Sequence, residues 1–249
     1  MKKAGWGAAI LLGLALMTPR GSFAGRPLLT EDAGTVERGA REFELAFDQA
    51  RDNNRDKYYI PSVQIAYGLT DRMEIAAGLP YIFLDPQEGG KVDGIGDLYA
   101  YLKCRVWGEQ NFFPALTLKP SLKLPTARER KGLGSGETDF GLTAAFSKSF
   151  VGFNLHADST YTISGEKDVT DPLSLGLAGQ FEITKRFNFV SEGRYANNFN
   201  SSRKDDPATV MAGFQAEIVG AVFDAGLTLG LNPAAADYLF TAGVTLKFK

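Results

Sequence analysis

The chain predicts an all-β fold: a transmembrane antiparallel up-and-down β-barrel of about twelve strands, with short periplasmic turns and long extracellular loops. Three observations carry this reading. Apolar and polar residues alternate with a period of two along most of the chain, which puts them on opposite faces of a strand. The alternating segments run to roughly ten residues, the length a tilted strand needs to cross a bilayer. Their connections are long after the odd segments and short after the even ones, as in outer-membrane barrels, and an even strand number returns both termini to the short-turn side.

The bulk numbers agree with that class. The 249 residues hold 27 Lys+Arg and 29 Asp+Glu, a net charge of −2, so electrostatics gives no reason to expect a nucleic-acid partner. One cysteine, Cys104, and one histidine, His156, exclude a disulfide framework and a Cys/His metal site, and no motif calls for a cofactor. Residues 1–24 read as a signal peptide: Lys2 and Lys3, an apolar core from Gly7 to Met17, and Ser22-Phe23-Ala24 as the cleavage site. Past it, no run approaches the roughly 20 apolar residues of a spanning helix. Residues 25–38 show no periodicity and are expected as a periplasmic lead-in, with the barrel over 39–249 in a bacterial outer membrane.

The segments follow in order. Segment 39–48 sends Phe43, Leu45 and Phe47 outward and Glu42, Glu44 and Asp48 inward. A polar loop, 49–57, leads to 58–68, where Tyr59, Val63, Ile65 and Tyr67 oppose Ser62, Gln64 and Ala66. The tight turn 69–72 opens segment 73–83, with Ile75, Ala77 and Leu79 against Glu74. In segment 95–107 the inward parity holds Asp97, Tyr99, Tyr101, Lys103 and Arg105, while Cys104 is a small apolar filler on the lipid side. Two segments frame the charged, Gly-rich loop 125–137. Before it, Leu116, Leu118, Leu122 and Leu124 oppose Thr117, Lys119, Ser121 and Lys123. After it, Phe140, Leu142 and Phe146 oppose Asp139, Gly141 and Thr143. Segments 152–163, 172–183, 187–196, 208–218, 222–231 and 237–248 continue the alternation, the last ending in Phe248.

A soluble lipocalin-like barrel would share the period but invert the faces. The export signal, the terminal aromatic Phe248 and the loop asymmetry decide for the membrane, and aromatics near strand ends (Tyr59, Tyr81, Phe83, Trp107, Phe187 and Tyr238) stand where interfacial girdles belong. On this assignment Leu118→Arg should impair insertion, whereas Thr117→Arg, on the inner face, should be tolerated.

The lumen-lining residues are then Glu42, Glu44, Glu74, Asp97, Lys103, Arg105, Lys119, Lys123, Asp139, His156, Asp158, Glu192, Arg194 and Glu217. Lys103, Arg105, Lys119 and Lys123 on adjacent strands form a basic patch facing acidic groups elsewhere. Such an array either orients a passing solute or fills the lumen with salt bridges, since charges inside a barrel must be paired or hydrated. His156 and Asp158 share the inner face and are expected as a hydrogen-bonded pair. Ser159 points to lipid, so no Ser-His-Asp site forms locally and the chain does not read as an enzyme. The loop residues Arg128 to Lys131 are expected as solvated.

Several stretches are also familiar: PLLTEDAGTVERGAREFELAF, GLTDRMEIAAGLPY, GIGDLYAYLKCRVW, and LKLPT followed by GSGETDFGLTAAFSK. Across the mature chain they resemble the family of outer-membrane proteins associated with the MetA pathway of phenol degradation, from which Lys249 after the final Phe248 is a small departure. The resemblance implies a β-barrel and passive uptake of small hydrophobic or aromatic compounds. The partners expected are outer-membrane lipid and lipopolysaccharide, a small-molecule solute, and the barrel-assembly machinery through the strand ending at Phe248. A structural or assembly barrel with a plugged lumen is the competing class, and a barrel lipid hydrolase a third. The first two differ in whether residues 25–38 or the 125–137 loop fold into the lumen.

Overall fold

A computed structural model of the chain describes residues 25–52, 56–85, 90–166, 169–197 and 206–249. The expected signal peptide, 1–24, lies outside the described residues, as do parts of four of the expected loops. Thirteen strands follow in order: β1 (Arg41–Asp52), β2 (Asp56–Thr70), β3 (Met73–Asp85), β4 (Val92–Ile95), β5 (Leu98–Trp107), β6 (Ala115–Leu124), β7 (Asp139–Phe150), β8 (Phe153–Ile163), β9 (Leu173–Thr184), β10 (Phe187–Ala196), β11 (Ala208–Ile218), β12 (Ala221–Gly230) and β13 (Tyr238–Phe248).

Each strand pairs antiparallel with its neighbours, and β1 pairs with both β2 and β13, from Arg41 opposite Phe248 to Arg51 opposite Tyr238. The sheet is therefore closed, and no strand leaves a row of unpaired amides facing lipid. β4 and β5 both lie against β3 and form one stave broken at Gly96-Asp97, so the wall has twelve staves. The break is pinned from outside the sheet. The Thr126 hydroxyl donates to the Gly96 carbonyl and accepts the Leu98 N–H, both at 2.9 Å, and Asp97 accepts the Ala127 N–H at 3.0 Å.

The faces settle the solvent. Leu45, Phe47, Ile65, Leu118, Phe140, Leu177, Phe214 and Phe240 are exposed on the outside, while Thr117, Thr143, Gln180, Glu192 and Gln215 are buried within. That is a soluble protein turned inside out, and it is stable only where the outer solvent is hydrocarbon. Stacked rings reinforce the belt at the short-turn end, with Phe150 and Phe153 at 4.6 Å and Phe187 and Phe214 at 5.3 Å. The chain is a bacterial outer-membrane β-barrel.

Two expectations change at this level. The loop expected over 49–57 is mostly strand, because β1 and β2 stay paired out to Asp52 opposite Asp56. The larger correction concerns residues 25–38. They do not hang below the barrel as a periplasmic lead-in; they run inside it, with Leu28, Thr30, Asp32, Ala33 and Val36 buried.

Candidate functional site

The segment 25–38 is a plug, and the residues that seat it come from nearly every stave. At its start the Arg26 guanidinium reaches Asp48 and Asp224, each at 3.5 Å, and also bonds the Thr241 hydroxyl. The Arg26 carbonyl accepts from Gln215 at 2.7 Å. Leu28 packs on Ala178, Val190 and Met211, an apolar cluster inside an otherwise polar lumen. The Leu29 and Thr30 amides donate to the Glu192 carboxylate at 3.0 and 2.8 Å, and the Glu31 amide donates to Asp158 at 3.2 Å. Further along, Ala33 donates to the Ser147 hydroxyl and accepts from Thr117, both at 2.8 Å. The Val36 amide donates to Glu74 at 2.5 Å before the chain turns into β1. Five backbone amides of this irregular segment, those of Leu29, Thr30, Glu31, Ala33 and Val36, are thus paired with lumenal side chains, which helps non-helical backbone sit at membrane depth.

Glycines make the room. A Cβ at Gly213 or Gly226 would meet the Pro27 ring at about 3 Å, and one at Gly68 would stand 2.0 Å from the Glu37 carbonyl oxygen.

Charge locks the middle of the plug. The Glu31 carboxylate bridges two lysines, Lys103 at 2.7 Å and Lys119, and Lys103 also faces Asp32 at 3.6 Å. The Lys119 ammonium sits 4.8 Å from the Tyr101 ring centre, a cation–π contact. Burial alone would raise the Glu31 carboxyl, but the Lys103 and Lys119 ammoniums outweigh it and hold it at about 2, below the ordinary 4.5. A depressed carboxylate adds stability that is fully present above its ordinary value and is lost as the pH falls through the depressed one. The contribution of Glu31 to seating the plug should therefore be intact from neutral pH down to about 4.5 and be lost progressively towards about 2. Channel opening recorded against pH in a planar bilayer checks this, and an equal acid response in the parent and in Glu31→Gln would contradict it.

The family comparison comes at this point. Residues 25–248 match the family described as "Putative MetA-pathway of phenol degradation". The chain belongs to this family. The matched region spans both the plug and every strand. No curated protein matches the chain. Among solved structures it resembles an outer membrane channel from Pseudomonas putida F1, with 13% identity, a TM-score of 0.73, and 89% of this chain and all of that one covered. It also resembles the NanC porin, at 9% identity and a TM-score of 0.58, covering 84% of this chain and all of that one. The β-domain of the Bordetella autotransporter BrkA matches at 14% identity and a TM-score of 0.56, covering 86% and all of the respective chains. At these identities the likeness is one of fold.

The lumen-lining residues of this family member fall into separate groups. Lys103 and Lys119 meet at Glu31. Lys123 turns towards the long-loop end and binds Asp139 at 2.6 Å, with Asp97 at 3.9 Å. Arg105 reaches the rim and bonds the Asp71 carbonyl. The continuous basic patch expected from strand adjacency is thus divided, because each cation has its own oxygen partner. The expected His156–Asp158 pair does not form: the His156 Nδ1 shares a hydrogen bond with Ser147 at 2.8 Å, and Asp158 holds Arg194 at 3.2 Å. Arg194 also reaches the Thr30 hydroxyl at 3.3 Å. Glu42 pairs with Lys247 at 2.9 Å near the mouth, and Glu44 accepts from Gln64 at 3.1 Å. Glu217 stands half-buried near the short-turn end of β11.

Arg26, Glu31, Asp32, Thr117, Ser147 and Asp224 were absent from the expected set. For Glu31 and Asp32 one signal was present: the inward cations Lys103, Arg105, Lys119 and Lys123 on two adjacent strands outnumber the inward acids beside them, which calls for a carboxylate from elsewhere.

Among the described residues, two cavities border the plug. The one on the short-turn side measures about 930 Å³ and is bordered by Glu37, Glu42, Asp71, Arg105 and Lys247. The one on the long-loop side measures about 450 Å³; Leu28, Leu29, Ile60, Pro80, Tyr99 and Leu239 give it an apolar side, and Arg26, Glu44 and Asp48 a charged one. Arg26, Leu28, Glu44 and Gln64 border both and form the partition.

Proposed function

We propose that the protein is an outer-membrane channel for passive uptake of small hydrophobic or aromatic compounds, with the plug as its barrier. The observation that carries this is the cavity on the extracellular side of the plug. Leu29 of the plug is 58% exposed and Tyr99 on the wall 51% exposed, and both border this space of about 450 Å³. A pocket whose apolar side chains are joined by a limited set of polar groups is the usual form of a small-molecule site, and Leu28, Leu29, Ile60, Pro80, Tyr99 and Leu239 supply the apolar part here. Its place above a charged barrier makes it a collecting site. The family description, which refers to phenol degradation, agrees with this solute class.

Leu29→Asn is the test. Removing an apolar contact of this size costs about 1.5–3 kcal/mol when the side chain is fully covered by ligand, so partial cover gives roughly a tenfold change. The half-saturating concentration for protein-dependent uptake of a labelled monoaromatic solute should rise about tenfold, with uptake of a small polar solute unchanged. Absence of any protein-dependent aromatic uptake would favour the second reading, a structural barrel with a sealed lumen. That reading draws support from the number of separate staves that hold the plug. An enzymatic role has less to support it, since the Ser147 oxygen lies against the Ala33 amide of the plug and His156 is buried. Phe248 stands exposed at the end of β13 and is suited to present the strand to the assembly machinery.

A further inference from the structure

We propose that removal of the export signal locks the plug: cleavage after Ala24 turns the Gly25 nitrogen from a neutral amide into an ammonium, which pairs with Glu44 and holds the segment 25–38 in the lumen. The inference rests on the export signal read in residues 1–24 and is independent of what the channel carries. The step is a hydrolysis by an envelope peptidase. Water divides the Ala24–Gly25 peptide bond, leaving a carboxylate on Ala24 and, on Gly25, an α-amine that is charged at neutral pH.

The lumen is short of positive charge where Gly25 lies. Other cations around the plug are already engaged: Lys103 and Lys119 by Glu31, Lys249 by Glu37, and Arg105 by the Asp71 carbonyl, while Arg41 lies over the Tyr67 ring. At the Gly25 end, four carboxylates, Glu42, Glu44, Asp48 and Asp224, face two cations, Arg26 and Lys247. Lys247 binds Glu42, and Arg26 is shared between Asp48 and Asp224. Half-buried Glu44 accepts from the neutral Gln64 amide at 3.1 Å, and the charges of Glu42 and Asp224 both bear on it. Asp224 is less satisfied still. Its side chain is 1% exposed, and among the described residues neither of its oxygens accepts a hydrogen bond of good geometry. Carboxylates withdrawn from water in this way call for a further cation.

Gly25 is placed to supply it. The residue borders the short-turn cavity together with Glu42 and Glu44. Neighbouring contacts fix it there. The Leu28 amide donates to the Gly25 carbonyl at 3.1 Å, Gln215 holds the Arg26 carbonyl at 2.7 Å, and the Pro27 ring fits against Gly213 and Gly226. The guanidinium of the very next residue already lies among the acids. An uncleaved chain offers this group a neutral amide, so its plug rests on its remaining contacts alone. Cleavage adds the missing charge, which ties closure of the lumen to completed export.

The test removes that charge alone. The barrel is purified from outer membranes, and mass spectrometry locates its N-terminus. Pyridoxal phosphate, applied in urea, converts a terminal glycine amine to an aldehyde and leaves lysine side chains intact. After refolding, planar-bilayer recording gives the open fraction and heat-dependent mobility the folded fraction. Conversion should raise the open fraction of the parent roughly tenfold, the weight of one hydrogen bond between charged groups. In Glu44→Gln, where the partner charge is already gone, the same conversion should change it little.

Equal open fractions before and after full conversion of a folded parent would overturn the proposal. An equal rise in the parent and in Glu44→Gln would overturn it too, since the ammonium would then act elsewhere. An N-terminus other than Gly25 would remove the export-signal reading along with the lock, an outcome that mass spectrometry separates from the other two.

Discussion

Glu31→Gln is expected to unseat the plug and turn a quiet barrel into a conducting one. The substitution preserves shape and removes one charge. It leaves the Lys103 and Lys119 ammoniums without the carboxylate they share, and Lys103 has only 5% of its side chain exposed. Removing one partner of a buried ion pair costs about 3–5 kcal/mol, because the remaining charge stays buried without compensation. Asp32, 3.6 Å from Lys103, recovers part of this, so the lower end applies. At 1.4 kcal/mol per tenfold, about 3 kcal/mol is roughly a hundredfold rise in the open fraction. The barrel ladders do not involve Glu31, so folding yield should match that of the parent. Single-channel recording in planar bilayers provides the readout. Glu37→Gln is the control, since its bridge to Lys249 joins two exposed side chains and such pairs contribute little. If Glu31→Gln stays as quiet as Glu37→Gln, the plug is held by its backbone bonds to Glu192, Asp158 and Glu74, and the lysine bridge is incidental.

The contrast between those two glutamates shows where the sequence was informative. The wall was legible because it obeys one rule repeated twelve times: a period of two with lipid on one side. Phe43, Leu45 and Phe47 face out and Glu42 and Glu44 face in for the same reason that Leu116 and Thr117 do, and any single segment could have been misread without changing the answer. The plug obeys no period. Residues 25–38 read as a loop because their amides are satisfied by side chains of β3, β7, β8 and β10, far away in sequence, and no local pattern records such bonds. The same distance hid the pairings of the lumen. Parity correctly turned His156 and Asp158 inward, but which oxygen each inward group meets depends on the plug, and so Ser147 and Arg194 took the places expected of the pair. The loop asymmetry was read correctly in kind and too strongly at β1–β2, where a polar sequence continues as strand because strands of such barrels can extend past the lipid.

Leu118→Arg should fail to insert where Leu124→Arg succeeds. Both leucines lie on the outer parity of β6, but Leu118 is near its middle, between Cys104 on β5 and Ala144 on β7, while Leu124 is its last residue. An arginine facing lipid costs about 2–4 kcal/mol at the bilayer midplane and about 0–1 kcal/mol near the interface. The folded fraction on refolding into vesicles, read from the mobility difference between heated and unheated samples, should fall about fivefold or more for Leu118→Arg relative to Leu124→Arg. Equal yields would sink the assignment of the outer face. The plug also changes what is expected next door. Thr117 points inward, which from alternation alone made arginine there harmless, but it is fully buried beneath the Ala33 carbonyl that its hydroxyl binds. Thr117→Arg should therefore insert with near-normal yield and displace the plug, giving a folded barrel that conducts. Lipid excludes the charge at position 118 and a neighbouring segment excludes the bulk at position 117, so adjacent residues on one strand should fail in different assays.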